Sequence, residues 1–301
     1  MEFIGKTNID FVGKRKIAFA FSGVLSLLGI AAVIMIAAGK ANLGVDFAGG
    51  TSVQLRFEGA VSIDDARKAL ERNGLQADLQ QFAEGNKLLI RVKRSDLPLG
   101  RVADSVVDVF TKEFSANRFV VESSTEIGPT VGKSLQKDAV IAIIISLIAI
   151  IIYIAWRFEF KFGVAATIAT FHDVLAVLGI LFILNKEITL LIVTALLTIA
   201  GYSLTDTVVV FDRIRENLRS KAKSALEETI NISINEVLSR TIITVLTTFM
   251  AAASILFFGG EVLHDFALAL VLGLIVGSYS SIFVASPILI VWKGRGGKPL
   301  R

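Results

Sequence analysis

No cysteine occurs in the 301 residues, which excludes disulfides, thiolate metal sites and a cysteine nucleophile. Histidine is nearly absent too: only His172 and His264 are present, too few for a histidine-rich metal cluster. No cofactor is expected. Charged side chains make up 19% of the chain against 53% hydrophobic ones, and the mean hydropathy is +0.68. That is far more apolar than an ordinary soluble domain. The net charge of +4 matters less than where the charges sit.

Six stretches are apolar enough to cross a bilayer, whose core needs about 20 such residues in a helix. They run over 17–38, 138–156, 163–184, 188–211, 241–259 and 264–292. Lys14, Arg15 and Lys16 precede the first. Arg157 and Lys161 separate the second and third. Arg213, Arg215, Arg219, Lys221 and Lys223 follow the fourth, and Lys293, Arg295, Lys298 and Arg301 follow the sixth. All of these lie on one side if both termini are cytoplasmic, as the positive-inside rule requires. The first span, with an apolar run of about 22 residues, exceeds the 7–15 of a signal-peptide core and is expected to be retained.

The expected organisation is an N-terminus and first span over 1–39, an external domain over 40–136, and spans two to four over 137–211. A cytoplasmic amphipathic segment follows over 212–240, then spans five and six with a basic tail over 241–301. In the external domain Thr51–Phe57 alternates as a strand does. Ser62 opens a helix to Asn73. Ala77–Ala83 and Lys87–Lys93 flank a turn at Glu84-Gly85-Asn86, Leu99–Phe114 is helical, and Arg118–Ser124 is a last strand. The order β-α-β-β-α-β predicts a ferredoxin-like α+β unit. Gly128-Pro129-Thr130-Val131-Gly132-Lys133-Ser134 imitates a phosphate loop, but three residues separate its glycines where four are needed. It reads as the turn into span two. Leu226, Ile230, Ile234 and Leu238 recur every four residues among charges, which predicts an amphipathic helix at the membrane surface.

Asp206 is the only formal charge between Ile188 and Phe211. An Asp at mid-membrane costs roughly 2.5–3.5 kcal/mol on insertion scales, so a partner or a function is expected. With the span ending at Phe211, Asp206 is on the order of 8 Å deep. Arg240, opening span five, is the expected ion-pair partner, and the pair suggests a proton relay; the plain alternative is a static helix-to-helix bridge. Thr194, Thr198, Gly201 and Thr205 share one face of span four, as Arg240, Thr244, Thr247 and Ala251 do on span five. His172 and Asp173 are further relay candidates, or else hydrogen-bond a neighbouring helix. Neighbours along a helix do not share a face, so they need not pair. Gly273, Gly277 and Ser281 form a small-residue ridge for close helix packing, and Gly201 is assigned to packing as well.

Leu43 to Thr51 contains Asp46, Phe47, Gly49 and Gly50 in the order D-F-x-G-G, which resembles the signature of the SecD/SecF family of protein-export membrane proteins. Gly201 to Asn217, Leu238 to Thr241 and Gly277 to Pro287 are similar to the SecF branch of that family, within the resistance-nodulation-division superfamily. The resemblance covers essentially the whole chain. It implies a transport subunit, not an enzyme, in the bacterial inner membrane. It implies SecD as partner, association with the SecYEG channel, functional coupling to SecA, contact with an unfolded preprotein and the bilayer, and no nucleic acid. Protons are the implied coupling ion, with Asp206 and Arg240 in their pathway. A further family carboxylate belongs to SecD, so this chain holds half a site. The residue before the family Asp is often Asn; Thr205 stands here and still hydrogen-bonds. The rival reading is a six-span proton-coupled exporter of small molecules or lipids from the same superfamily.

Overall fold

The computed structural model describes residues 7–82, 86–92, 100–220 and 225–294. The chain divides into two units, Leu43–Ile141 and the remainder, which are taken in turn.

In the smaller unit α2 (Val45–Ala48) precedes β1 (Gly50–Phe57), α3 (Ile63–Arg72), β2 (Asp78–Gln81), β3 (Lys87–Val92), α4 (Val102–Glu113) and β4 (Phe119–Ile127). The sheet order is β2-β3-β1-β4 with antiparallel neighbours, the split βαβ arrangement expected. Alternation sends Val53, Leu55 and Phe57 inward against Leu70, Val106 and Phe110, all buried. On the other face Glu122 accepts from Gln54 Nε2 at 2.8 Å and pairs with Arg56 Nε at 3.0 Å. Ser62 Oγ caps α3 by accepting from the Asp65 amide at 3.3 Å. Most of the expected turn at 84–86, and Leu99, lie outside the described residues.

The one-turn helix α2 was not foreseen, and it explains the double glycine. Gly49 and Gly50 have φ of 74° and 122°, where a side chain strains the backbone. A Cβ on Gly49 would also come within 3.1 Å of Pro129 Cα. Pro129 opens the next helix, α5 (Pro129–Arg157), and Gln136 Nε2 donates to the Phe47 carbonyl at 2.9 Å. The glycines thus let the strand start turn sharply beside α5. The phosphate-loop lookalike is the first turns of this helix, with Pro129 placed where a missing N–H costs nothing.

The helical unit contains α1 (Arg15–Ala37), the rest of α5, α6 (Phe160–Ile183), α7 (Leu190–Ser220), α8 (Leu226–Phe258), α9 (Glu261–Ser280), a π-turn (Ser281–Ala285) and α10 (Ser286–Gly294). Among the described residues six helical stretches are long and apolar enough to span a membrane. Gly29 of α1 and Gly179 of α6 let two backbones nearly touch: a Cβ on Gly179 would sit 2.7 Å from the Gly29 nitrogen.

Spans four and five end differently from expectation. α7 runs past Phe211 to Ser220, and α8 starts at Leu226, well before Arg240. The amphipathic segment is therefore no separate surface helix. Leu226, Ile230, Ile234 and Leu238 are buried among Phe11, Phe162, Phe211, Ile214 and Leu289. Their four-residue period faces protein, and periodicity alone does not distinguish a protein core from lipid. The incoming chain is clamped there as well. Asn231 Oδ1 accepts from the Phe11 amide at 2.9 Å and Asn235 Oδ1 from the Ile9 amide at 2.9 Å.

Gly179→Leu is expected to cost about 1–3 kcal/mol or more through overpacking at the α1–α6 crossing. Thermal unfolding in detergent should show it as a lowered midpoint. Gly201→Ala, whose new Cβ meets nothing within 4 Å, should hold or raise the midpoint. Equal melting of the two variants would refute the close crossing.

Candidate functional site

A carboxylate in an apolar helix bundle needs donors from the helices around it. Asp173 on α6 is 0% exposed and meets three. His172 Nδ1 lies 2.9 Å from Oδ1, Ser280 Oγ donates to Oδ2 at 2.7 Å, and Ser203 Oγ donates to the same oxygen. The His172–Asp173 contact corrects the expectation from helix faces: the imidazole turns back along its own helix to reach the next residue. Asp173 also bonds neighbouring helices, through Ser203 of α7 and Ser280 of α9. His172 Nε2 is buried with no hydrogen-bond partner among the described residues.

One turn beyond Ser203, Asp206 is half-buried and accepts from Ser281 Oγ. Thr241 of α8 faces the same carboxylate without a well-formed hydrogen bond. Consecutive serines thus serve the two carboxylates, Ser280 for Asp173 and Ser281 for Asp206. The π-turn begins at Ser281, and Ser286 Oγ donates to the Ser281 carbonyl at 2.8 Å, five residues back. Such a bulge re-aims side chains within a helix and recurs at functional sites. Tyr279 braces its start, donating to the Ala18 carbonyl at 2.9 Å and stacking on Phe283.

Three expectations about this region change. Among the described residues no ion pair joins Asp206 to Arg240; Arg240 is exposed, while Asp206 points inward to the π-turn. The helix carrying Asp206 does not stop at Phe211 but continues to Ser220. Within this chain Gly201 makes no close helix contact, since a Cβ there would meet nothing within 4 Å among the described residues, and Ser281 serves a carboxylate as well as the ridge. Gly273 and Gly277 do pack closely: added Cβ atoms would meet Ile199 at 2.3 Å and Ser203 at 3.2 Å. The faces carrying Thr194, Thr198, Gly201 and Thr205 on α7, and Arg240, Thr244, Thr247 and Ala251 on α8, are exposed. Thr194, Thr198, Thr205 and Thr244 each return their hydroxyl to the backbone four residues earlier. Ser203 and Ser280 were missed, since serine in an apolar run reads as packing. Their sequence signal was small polar residues one turn from an Asp or beside a ridge. Among the described residues no group of three or more His, Cys, Asp or Glu could hold a metal ion.

Six apolar helices, an α+β domain inserted after the first and two carboxylates inside the bundle are the plan of a multi-pass membrane transport subunit. The family model for the protein export membrane protein SecD/SecF, C-terminal, matches residues 106–295, and that for the SecD/SecF GG motif matches 34–61. The protein translocase subunit SecF of Thermodesulfovibrio yellowstonii is 54% identical over 294 residues, 97% of each chain. That of Endomicrobium trichonymphae is 40% identical over 304 residues, covering 100% of this chain and 96% of the relative. The crystal structure of SecDF, a translocon-associated membrane protein from Thermus thermophilus, superposes with a TM-score of 0.85 at 37% identity, over 96% of this chain. This chain spans 39% of that one. The chain belongs to the SecD/SecF protein-export family, in its SecF branch of translocase subunits.

Ser280→Ala is expected to cost about 1.5–3 kcal/mol, the worth of a hydrogen bond to a charged group. Ser278→Ala, two residues earlier, removes only a bond to its own helix at Leu274 and should change stability by less than about 0.5 kcal/mol. Reversible unfolding in detergent compares them; similar losses would argue against a donor role for Ser280.

Proposed function

We propose that this chain works with a SecD-type partner, using proton flow across the membrane to assist a late stage of preprotein movement through the SecYEG channel after SecA-driven threading. The observation that carries this reading is Asp206, an intramembrane carboxylate hydrogen-bonded to the first residue of a π-turn. Intramembrane ionisable groups mark proton and ion pathways. Each proton moving down 100 mV releases about 2.3 kcal/mol.

Protonating Asp206 removes the charge from its bond to Ser281 and weakens it. The π-turn, α9 above it and α7 beside it then form an element that a single charge change biases. Asp173, held by Ser203 and Ser280 and contacted by His172, is a second station. Arg240 acts across an interface, not within the chain. Its side chain is exposed beside a threonine-lined face and has no ion-pair partner among the described residues. A carboxylate from SecD is the natural partner for a cation left at membrane depth. The solved SecDF chains support the pairing, since this chain matches only part of each. A second SecDF structure, in a super-membrane-facing form, superposes at TM-score 0.70 with 36% identity. The lower score at near-equal identity is what a family with more than one arrangement gives. The ferredoxin-like unit is the part that contacts the emerging chain, and both termini are cytoplasmic.

Asp206→Asn is expected to leave ATP-driven translocation into inverted inner-membrane vesicles intact while abolishing the extra gain from a proton gradient, with SecD still co-purifying. A gradient-dependent gain equal to wild type would sink the proposal. Gly201→Trp, on the exposed face, should reduce co-purification with SecD at least tenfold without lowering the melting point of the isolated chain; undiminished recovery of SecD would remove this face from the interface.

A further inference from the structure

At the arginine-rich end of the helical unit, Arg157, Asp212, Arg215, Glu216, Arg219 and Ser220 line a pocket of about 560 Å3 between the end of α5 and the last turns of α7. Both of its carboxylates are already engaged. Asp212 is paired with Arg157 at 2.7 Å, and Glu216 with Arg213 at 2.7 Å. Arg215 and Arg219 have no ion-pair partner among the described residues, and Arg215 Nε is buried without a hydrogen-bond acceptor. Cations near a helix C-terminus complement its carbonyls. That accounts for one such charge, not for a lined pocket with three guanidinium groups.

The surface leading to the pocket says what fills it. α5 ends at Arg157, and the turns before it expose Ile145, Ile148, Ile152 and Tyr153. Trp156 is 85% exposed and Phe160, across the α5–α6 connection, 75%. Exposed aromatics at the end of an apolar span mark the level of lipid headgroups. The apolar face and Trp156 of α5, Phe160 at the start of α6 and the arginine pocket shared by α5 and α7 thus meet at one end of the helical unit. This is the profile of a phospholipid: acyl chain, glycerol region, phosphate. Arginine forks bind phosphate oxygens in pairs, and basic pockets between membrane helices hold anionic headgroups.

We propose that this pocket binds the phosphate of an anionic phospholipid through Arg215 and Arg219, with Arg157 at its rim and an acyl chain along α5. A soluble phosphate source shares the headgroup chemistry but makes no use of the apolar face. The purified full-length chain in a neutral detergent is melted with phosphatidylglycerol, phosphatidylcholine or inorganic phosphate at matched concentration. Native mass spectrometry of the same samples counts retained lipids. Phosphatidylglycerol is expected to raise the melting midpoint by about 2–4 °C, and the other two to leave it unchanged. Arg215→Gln with Arg219→Gln should abolish the shift and lower lipid retention at least fivefold. If the double variant does not fold, Arg219→Gln alone, at an exposed position, should at least halve the shift. An equal shift with phosphatidylcholine, a shift reproduced by inorganic phosphate alone, or a wild-type shift in the arginine variants would each overturn the proposal.

Discussion

A carboxylate cannot be left alone in an apolar bundle. Removing it from water without donors costs far more than any single packing contact returns. Asp173 has no exposed surface, and its two oxygens take hydrogen bonds from His172, Ser203 and Ser280. Those donors belong to α6, α7 and α9, so satisfying one side chain fixes three helices in register. The small residues nearby follow from the same need. Gly277 lies against Ser203, and a larger side chain there would push α9 away from the carboxylate that Ser280 must reach. Polar satisfaction and close packing are one constraint at this point in the bundle.

The π-turn extends that constraint to the second carboxylate. Within a regular helix Ser280 and Ser281 would point about 100° apart. Here they reach carboxylates on two different helices, Asp173 of α6 and Asp206 of α7. The extra residue of the π-turn follows directly, and Tyr279 holds its near side through Ala18 of α1. The helical bundle therefore carries a local irregularity next to its ionisable groups. Such an irregularity is where a change of one charge has the greatest leverage on helix geometry, because the backbone there already departs from its most stable form.

The outer surface of the bundle divides by chemistry. Isoleucines and valines of α1 and α5 face outward as lipid-exposed residues do. The exposed faces of α7 and α8 carry threonines, Gly201 and Arg240 instead. Such a face suits contact with another helix better than contact with hydrocarbon. Arginine at the end of α5 and along the last turns of α7 makes a third kind of surface, suited to headgroups.

The six apolar stretches, their basic flanks and the β-α-β-β-α-β order were legible in the sequence, because span length and strand alternation are local periodicities. The family motifs were legible for the same reason, being contiguous. Asp206 stood out as one charge in an apolar run, and its cost there did not depend on knowing its neighbours. Its partner did. Arg240 was the opposite charge at the edge of the next apolar run, but hydrogen bonding is decided by which helix faces turn inward, and the inward face brought Ser281. The His172–Asp173 contact likewise needed rotamers, and Leu226 to Leu238 needed the bundle against which their stripe is buried. Composition and local period determined what this protein is built from and that it carries charge inside a membrane. Only the tertiary structure decided which groups hydrogen-bond the two carboxylates, because that depends on distances between helices far apart in sequence.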